Sequence, residues 1–133
     1  MSGTNDTRST EQIRPPSDRD VVYVGYRHRG NAIVEKGPDQ ERLTPERSIE
    51  LVNDSPSGFE WGYGGSGPAQ LALALLLDYT DDEAFALDHY QELKTEVVSH
   101  LDCAMAGGRW QLTASEIDAA LRETSDDVVA PTI

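Results

Sequence analysis

The sequence predicts an α+β fold: a small antiparallel sheet of about three to four strands, packed on two main helices plus a short C-terminal helix. Three observations carry this prediction. The first half of the chain holds short β-branched and aromatic runs separated by turn formers. The second half holds segments whose apolar residues recur at helical spacing. Between them, Gly58–Leu77 reads as an aromatic extended segment, a glycine turn and an apolar helix, and the other elements are arranged around it.

Residues 1–19 are polar, rich in Ser, Thr, Asp and Arg, with Pro15-Pro16 near their end, so a disordered tail is expected there. A single domain should then occupy residues 20–123, with a flexible acidic tail at 124–133. Val21–Tyr26 is β-branched and aromatic, which predicts a strand, and Ala32–Val34 predicts its neighbour. Gly30-Asn31 between them suits a two-residue hairpin turn of the primed kind. Gly37-Pro38-Asp39 is a turn. Thr44-Pro45-Glu46 could begin a helix, but Ile49 and Leu51 alternate with Ser48 and Glu50, and a third strand is expected at 47–52. The run Asn53–Gly58 is dense in turn formers.

Phe59, Trp61 and Tyr63 alternate with Glu60 and Gly62, a period of two that places three rings on one face of an extended segment. Glycines follow, then Pro68, which suits the first turn of a helix capped by Ser66 or Gly67. From Ala69 to Leu77 only Gln70 is polar, so this helix is apolar on every side and belongs in the core. A second helix is expected over about 82–104, with Ala86, Tyr90, Leu93, Val97 and Leu101 on its inner stripe and Gly107-Gly108 as its stop. Trp110–Leu112 suits a short strand. Thr113 or Ser115 is expected to cap a last helix, Thr113 with Glu116 making a capping box, and its inner face is Ile117, Ala120 and Leu121.

The 133 residues carry 24 acids and 11 bases, a formal charge of −13, and nine of the eleven bases are arginine. That balance argues against a nucleic-acid backbone as the main partner, because such binding needs clustered positive charge. Acid-rich, lysine-poor surfaces suit a salt-accumulating cell, where salt screens the repulsion, and a haloarchaeal cytoplasm is expected. Cys103 is the only cysteine, which excludes an internal disulfide and fits a reducing compartment. No apolar run is long enough for a signal segment or a membrane span, so the expectation is a soluble cytoplasmic protein.

Two stretches are candidates for function. The first is Trp61, Tyr63, Gly64, Gly65, Ser66 and Gly67. Residues 62, 64 and 67 match G-x-G-x-x-G, but the strand–helix–strand context of a dinucleotide fold is missing, and no Lys-Ser/Thr pair follows to make a P-loop. A wider reading is an anion or nucleotide held at a helix N-terminus; a plain turn that lets rings pass close to the backbone weighs against it. The second is the basic tip Arg27, His28 and Arg29, within a stretch, residues 20–47, that holds five acids and five bases, against fifteen and three in residues 54–127. This tip could meet an acidic partner or a second copy, or could simply protect a strand edge.

No catalytic residue, metal site or cofactor is expected. His89 and His100 would be about 16 Å apart along one helix. His100 and Cys103 supply only two ligands where a structural zinc site uses four. Cys103 lies at a helix end beside Asp102, which opposes a thiolate. Ser66 lacks the G-x-S-x-G frame because Pro68 stands at its last position. Glu60 between two rings could have a raised pKa, or could pair with an arginine.

The run Gly58-Phe59-Glu60-Trp61-Gly62-Tyr63-Gly64-Gly65-Ser66-Gly67-Pro68-Ala69-Gln70-Leu71-Ala72-Leu73-Ala74-Leu75-Leu76 closely resembles the signature of the DUF6166 family. Asn53–Pro56, Tyr90–Lys94 and Trp110–Thr113 fit the same pattern, and the likeness covers about residues 22–122. The family is a small domain of bacteria, archaea and phages whose function is unknown, so the resemblance implies no activity, cofactor or catalytic residue. Its presence in phages implies at most an accessory or mobile-element role. The composite expectation is a non-catalytic interaction module. The alternative is a protein or enzyme that binds an anion, a nucleotide or another small molecule at the glycine turn.

Overall fold

The computed structural model describes residues 21–102 and 108–129. The expected tail at 1–19, Cys103, Gly107 and residues 130–133 lie outside the described residues. Among the described residues there are four strands and four helices: β1 Val22–His28, β2 Asn31–Gly37, β3 Glu41–Leu43, α1 Glu46–Leu51, α2 Ser66–Thr80, α3 Glu83–Glu96, β4 Arg109–Thr113 and α4 Ala114–Val129, with a 3₁₀ turn at Val98–His100. The sheet is antiparallel throughout, in the order β3-β2-β1-β4. This is the expected α+β architecture, with the third strand placed differently.

The β1–β2 hairpin turns one residue earlier than the sequence suggests. His28 pairs with Asn31, so Arg29 and Gly30 form the turn, at φ 53° and 83°. Both central residues have the positive φ that a type I′ turn requires. The strand expected at 47–52 is the helix α1, and the third strand is β3, paired to β2 at Val34↔Leu43. The period-two pattern of Ile49 and Leu51 is real but loses to packing. A helix turns Ser48 and Val52 toward α2, where both meet Gln70, and Pro45 occupies its N-cap.

Helix α2 is the core. Its residues Gly67 to Leu77 are buried without interruption, which agrees with the all-round apolar pattern. The inner face of the sheet supplies Tyr23, Val34, Trp110 and Leu112 to the same cluster; α3 supplies Ala86, Tyr90 and Leu93; α4 supplies Ile117 and Leu121. The helix starts one residue before the expected cap: Gly65 is the N-cap, with no side-chain cap bond. It stops at Asp81, which is left-handed at φ 52°. Asp82 then caps α3 by accepting from the Phe85 N–H at 3.1 Å.

Helix α3 ends at Glu96 rather than near 104. Val97 leaves helical geometry, and the Val98 carbonyl accepts the Gly62 N–H at 3.0 Å, so a long-range bond captures the chain where the helix would continue. The expected β4 and the Thr113–Glu116 capping box are both present. Glu116 Oε1 accepts from the Thr113 N–H at 2.8 Å, and Thr113 Oγ1 accepts from the Glu116 N–H at 3.1 Å. Helix α4 continues through residue 129, beyond the domain end expected at 123. Among the described residues no helix is long and apolar enough to cross a membrane.

Candidate functional site

The polar residue within α2 explains the approach to the site. Gln70 is fully buried and makes four hydrogen bonds. Its Oε1 accepts from the N–H groups of Asp54 and Ser55, each at 2.9 Å, and its Nε2 donates to Ser48 Oγ at 2.8 Å and to the Val52 carbonyl at 2.9 Å. Every donor and acceptor of the amide is used, so burial carries no unsatisfied-group cost. This latch fixes the 52–55 loop against the core helix. Ser55 Oγ donates to the Gly58 carbonyl at 2.7 Å, which sets the direction in which the aromatic segment leaves.

That segment is not a strand. Phe59 and Trp61 are buried, as expected, but Tyr63 is 52% exposed. Gly62 sits at φ 86°, a left-handed conformation that breaks the period-two alternation and turns Tyr63 off the shared face. Its N–H is held by Val98, and a Cβ here would press on the Leu101 carbonyl. The Tyr63 ring folds back over Gly65, where a Cβ would overlap it. Gly67 is pressed against the Glu60 side chain in the same way. The turn glycines therefore admit the chain's own side chains.

The structure joins the two stretches that the sequence leaves separate. The Arg27 guanidinium lies 4.7 Å over the Trp61 ring and donates to both Glu60 oxygens, at 2.6 and 3.2 Å. Trp61 in turn meets Trp110 edge to face, with centroids 5.4 Å apart at 82°. The Trp110 indole lies across Gly25, where a Cβ would collide with it. One stack thus runs from the core to the surface: Gly25, Trp110, Trp61, Arg27. The Arg–Glu pair is about two-fifths exposed, so its Coulomb contribution is small, on the order of 0–1 kcal/mol, and its geometry matters more. His28 and Arg29 are exposed beyond it at the hairpin tip.

An open cleft of 480 Å³ adjoins this stack, lined by Arg27, Trp61, Gly62, Ser99, His100, Leu101 and Asp102. Of the expected site residues it collects Arg27 and Trp61. Gly64, Gly65, Ser66 and Gly67 stand outside it at the start of α2, and His28 and Arg29 stand at the tip. The 99–102 wall was not legible in the sequence, because a helix is the natural reading of that stretch and nothing local pairs residue 62 with residue 98. His89 belongs to another surface, stacked on Phe85 and 2.9 Å from Glu92. Among the described residues no group of three or more His, Cys, Asp or Glu is placed to hold a metal ion.

The outer face of the sheet carries a perturbed titration. Tyr26 donates to Glu35 Oε2 at 2.8 Å, with the Arg109 guanidinium 5.3 Å from its ring. The hydrogen bond to the Glu35 carboxylate raises the phenol above its ordinary range, since ionisation would abolish the bond.

Compared with known proteins, the chain matches the family described as "Family of unknown function (DUF6166)" over residues 23–123. No curated protein and no solved structure gives a match.

Proposed function

The chain belongs to the DUF6166 family, and from that premise we propose that it is a non-catalytic interaction module. It works through the surface where the hairpin tip meets the aromatic segment, in the cytoplasm of a salt-accumulating cell, in an accessory or mobile-element setting. The observation that carries the reading is the Arg27–Trp61–Glu60 contact, which joins the exposed hairpin tip Arg27, His28 and Arg29 to the aromatic segment that also carries the exposed Tyr63. An exposed arginine held over a packed tryptophan is the chemistry of protein-recognition hot spots.

The alternative is an anion or nucleotide at the start of α2. Two features weigh against it. The Tyr63 ring already covers Gly65, and the charged side chain against the first turn is an acid, Glu60. An acid there takes the place that the helix dipole offers an anion.

The test uses the full chain as bait beside the double variant Arg29→Glu, Tyr63→Ser. A partner captured by the wild type should be lost by the variant, with far-UV circular dichroism and the urea midpoint unchanged. A partner retained by the variant refutes this surface. A thermal-shift series with phosphate, sulfate and nucleotides tests the alternative, which stands if one of them raises the melting temperature and Gly65→Asp removes the rise.

A further inference from the structure

The two edges of the sheet are built differently. The β3 edge is three residues long, carries Glu41 and Arg42, and lies between Pro38 and Pro45. Short length, charge and proline are the usual means of keeping an edge from pairing. The β4 edge has none of these over residues 109–112 except Arg109, whose guanidinium is drawn over Tyr26 on its own sheet.

The direction of the β4 backbone follows from the register. Val21 accepts the Ala114 N–H at 3.1 Å, so 21/114 is a hydrogen-bonded pair, and the alternation makes 23/112 and 25/110 the next ones. The backbone groups of Trp110 and Leu112 therefore point at β1. Those of Arg109, Gln111 and Thr113 point away from it. The Thr113 N–H confirms this direction by bonding Glu116 on that side. Among the described residues β4 has no second strand neighbour.

We infer that β4 is a dimerisation edge and that its occupant is the β4 strand of a second copy, antiparallel, with the two-fold axis at Gln111. The inference does not depend on the Arg27–Trp61 surface. The register is self-complementary. Gln111 exchanges both backbone bonds with Gln111 of the second copy. The Arg109 N–H donates to the carbonyl of Thr113 across the axis. Trp110 faces Leu112 on the buried side of the sheet, and no like charges stand opposite. Residues 109–113 contain no acid in a chain of charge −13, and the Glu116 carboxylate stands on this side only at the Thr113 end, so two such chains can approach along Arg109–Gln111.

The experiment is sedimentation of the full chain over a concentration series, in about 0.1 M and about 1 M NaCl, where the screening length falls from about 10 Å to about 3 Å. The expected result is a species of twice the 14.6 kDa chain mass, more populated at the higher salt, with the Gln111 amide more protected from hydrogen exchange as concentration rises. Gln111→Pro removes the outward N–H without removing a bond to β1 and should sediment as a monomer. Gln111→Lys sets like charges across the axis, should also be monomeric, and decides the matter if the proline variant does not fold. A wild type that is monomeric throughout, or dimers that survive both variants, would overturn the inference.

Discussion

Replacing Gln70 by leucine tests the latch that positions the site. The side chains are close in size, and the position is fully buried, so little volume changes. What changes is hydrogen bonding. The N–H groups of Asp54 and Ser55 and the Val52 carbonyl lose their partner, whereas Ser48 Oγ keeps its bond to the Pro45 carbonyl. A buried polar group left unsatisfied costs about 1–3 kcal/mol. Ser55 is buried and bears the full cost; Asp54 and Val52 are half-buried and recover part of it from water. The sum is about 2–4 kcal/mol, a large share of the roughly 5–15 kcal/mol that holds a domain folded. Urea unfolding at fixed salt, followed by the fluorescence of Trp61 and Trp110, should show a midpoint lowered by about 1–2 M for an m-value near 2 kcal/mol/M. A midpoint within about 0.3 M of the wild type, roughly 0.6 kcal/mol at that slope, would show that the amide is not what holds the 52–55 loop, and the account of the site would fail with it.

Other outcomes follow from the same packing. Trp61→Ala should cost about 3–5 kcal/mol by urea unfolding, and Tyr63→Ala less than about 0.5 kcal/mol, because only the first ring is buried; equal costs would contradict the break at Gly62. Gly25→Ala should destabilise by about 1–3 kcal/mol, since its methyl would occupy the place of the Trp110 indole. The Tyr26 phenol is raised in the folded state, so its contribution is present below the unfolded tyrosine pKa and is lost as pH rises through the folded value. Ultraviolet difference titration should show Tyr26 ionising late, and Glu35→Gln should bring it back toward its ordinary range. With a charge of −13, the wild type should gain stability between dilute buffer and about 2 M salt; equal melting temperatures in both would remove the salt-accumulating setting.

What the sequence determined by itself was everything that depends on local pattern. The run at 69–77, apolar but for Gln70, reads as a buried helix, Val21–Tyr26 as a strand, and Thr113 with Glu116 as a helix start, because periodicity and capping act within a few residues. Where the sequence misled, a distant partner decided. Residues 47–52 had strand alternation, yet Gln70 recruits Ser48 and Val52 from a helix. Residues 97–102 had helical spacing, yet the Gly62 N–H takes the Val98 carbonyl and turns them into a wall of the cleft. Tyr63 followed the alternation of Phe59 and Trp61, yet a positive φ at Gly62 sends it outward. The same holds for the surface as a whole. Arg27 and Trp61 were each visible in the chain, but only folding set one over the other, because a contact across 34 residues depends on the geometry of the whole core and leaves no local trace.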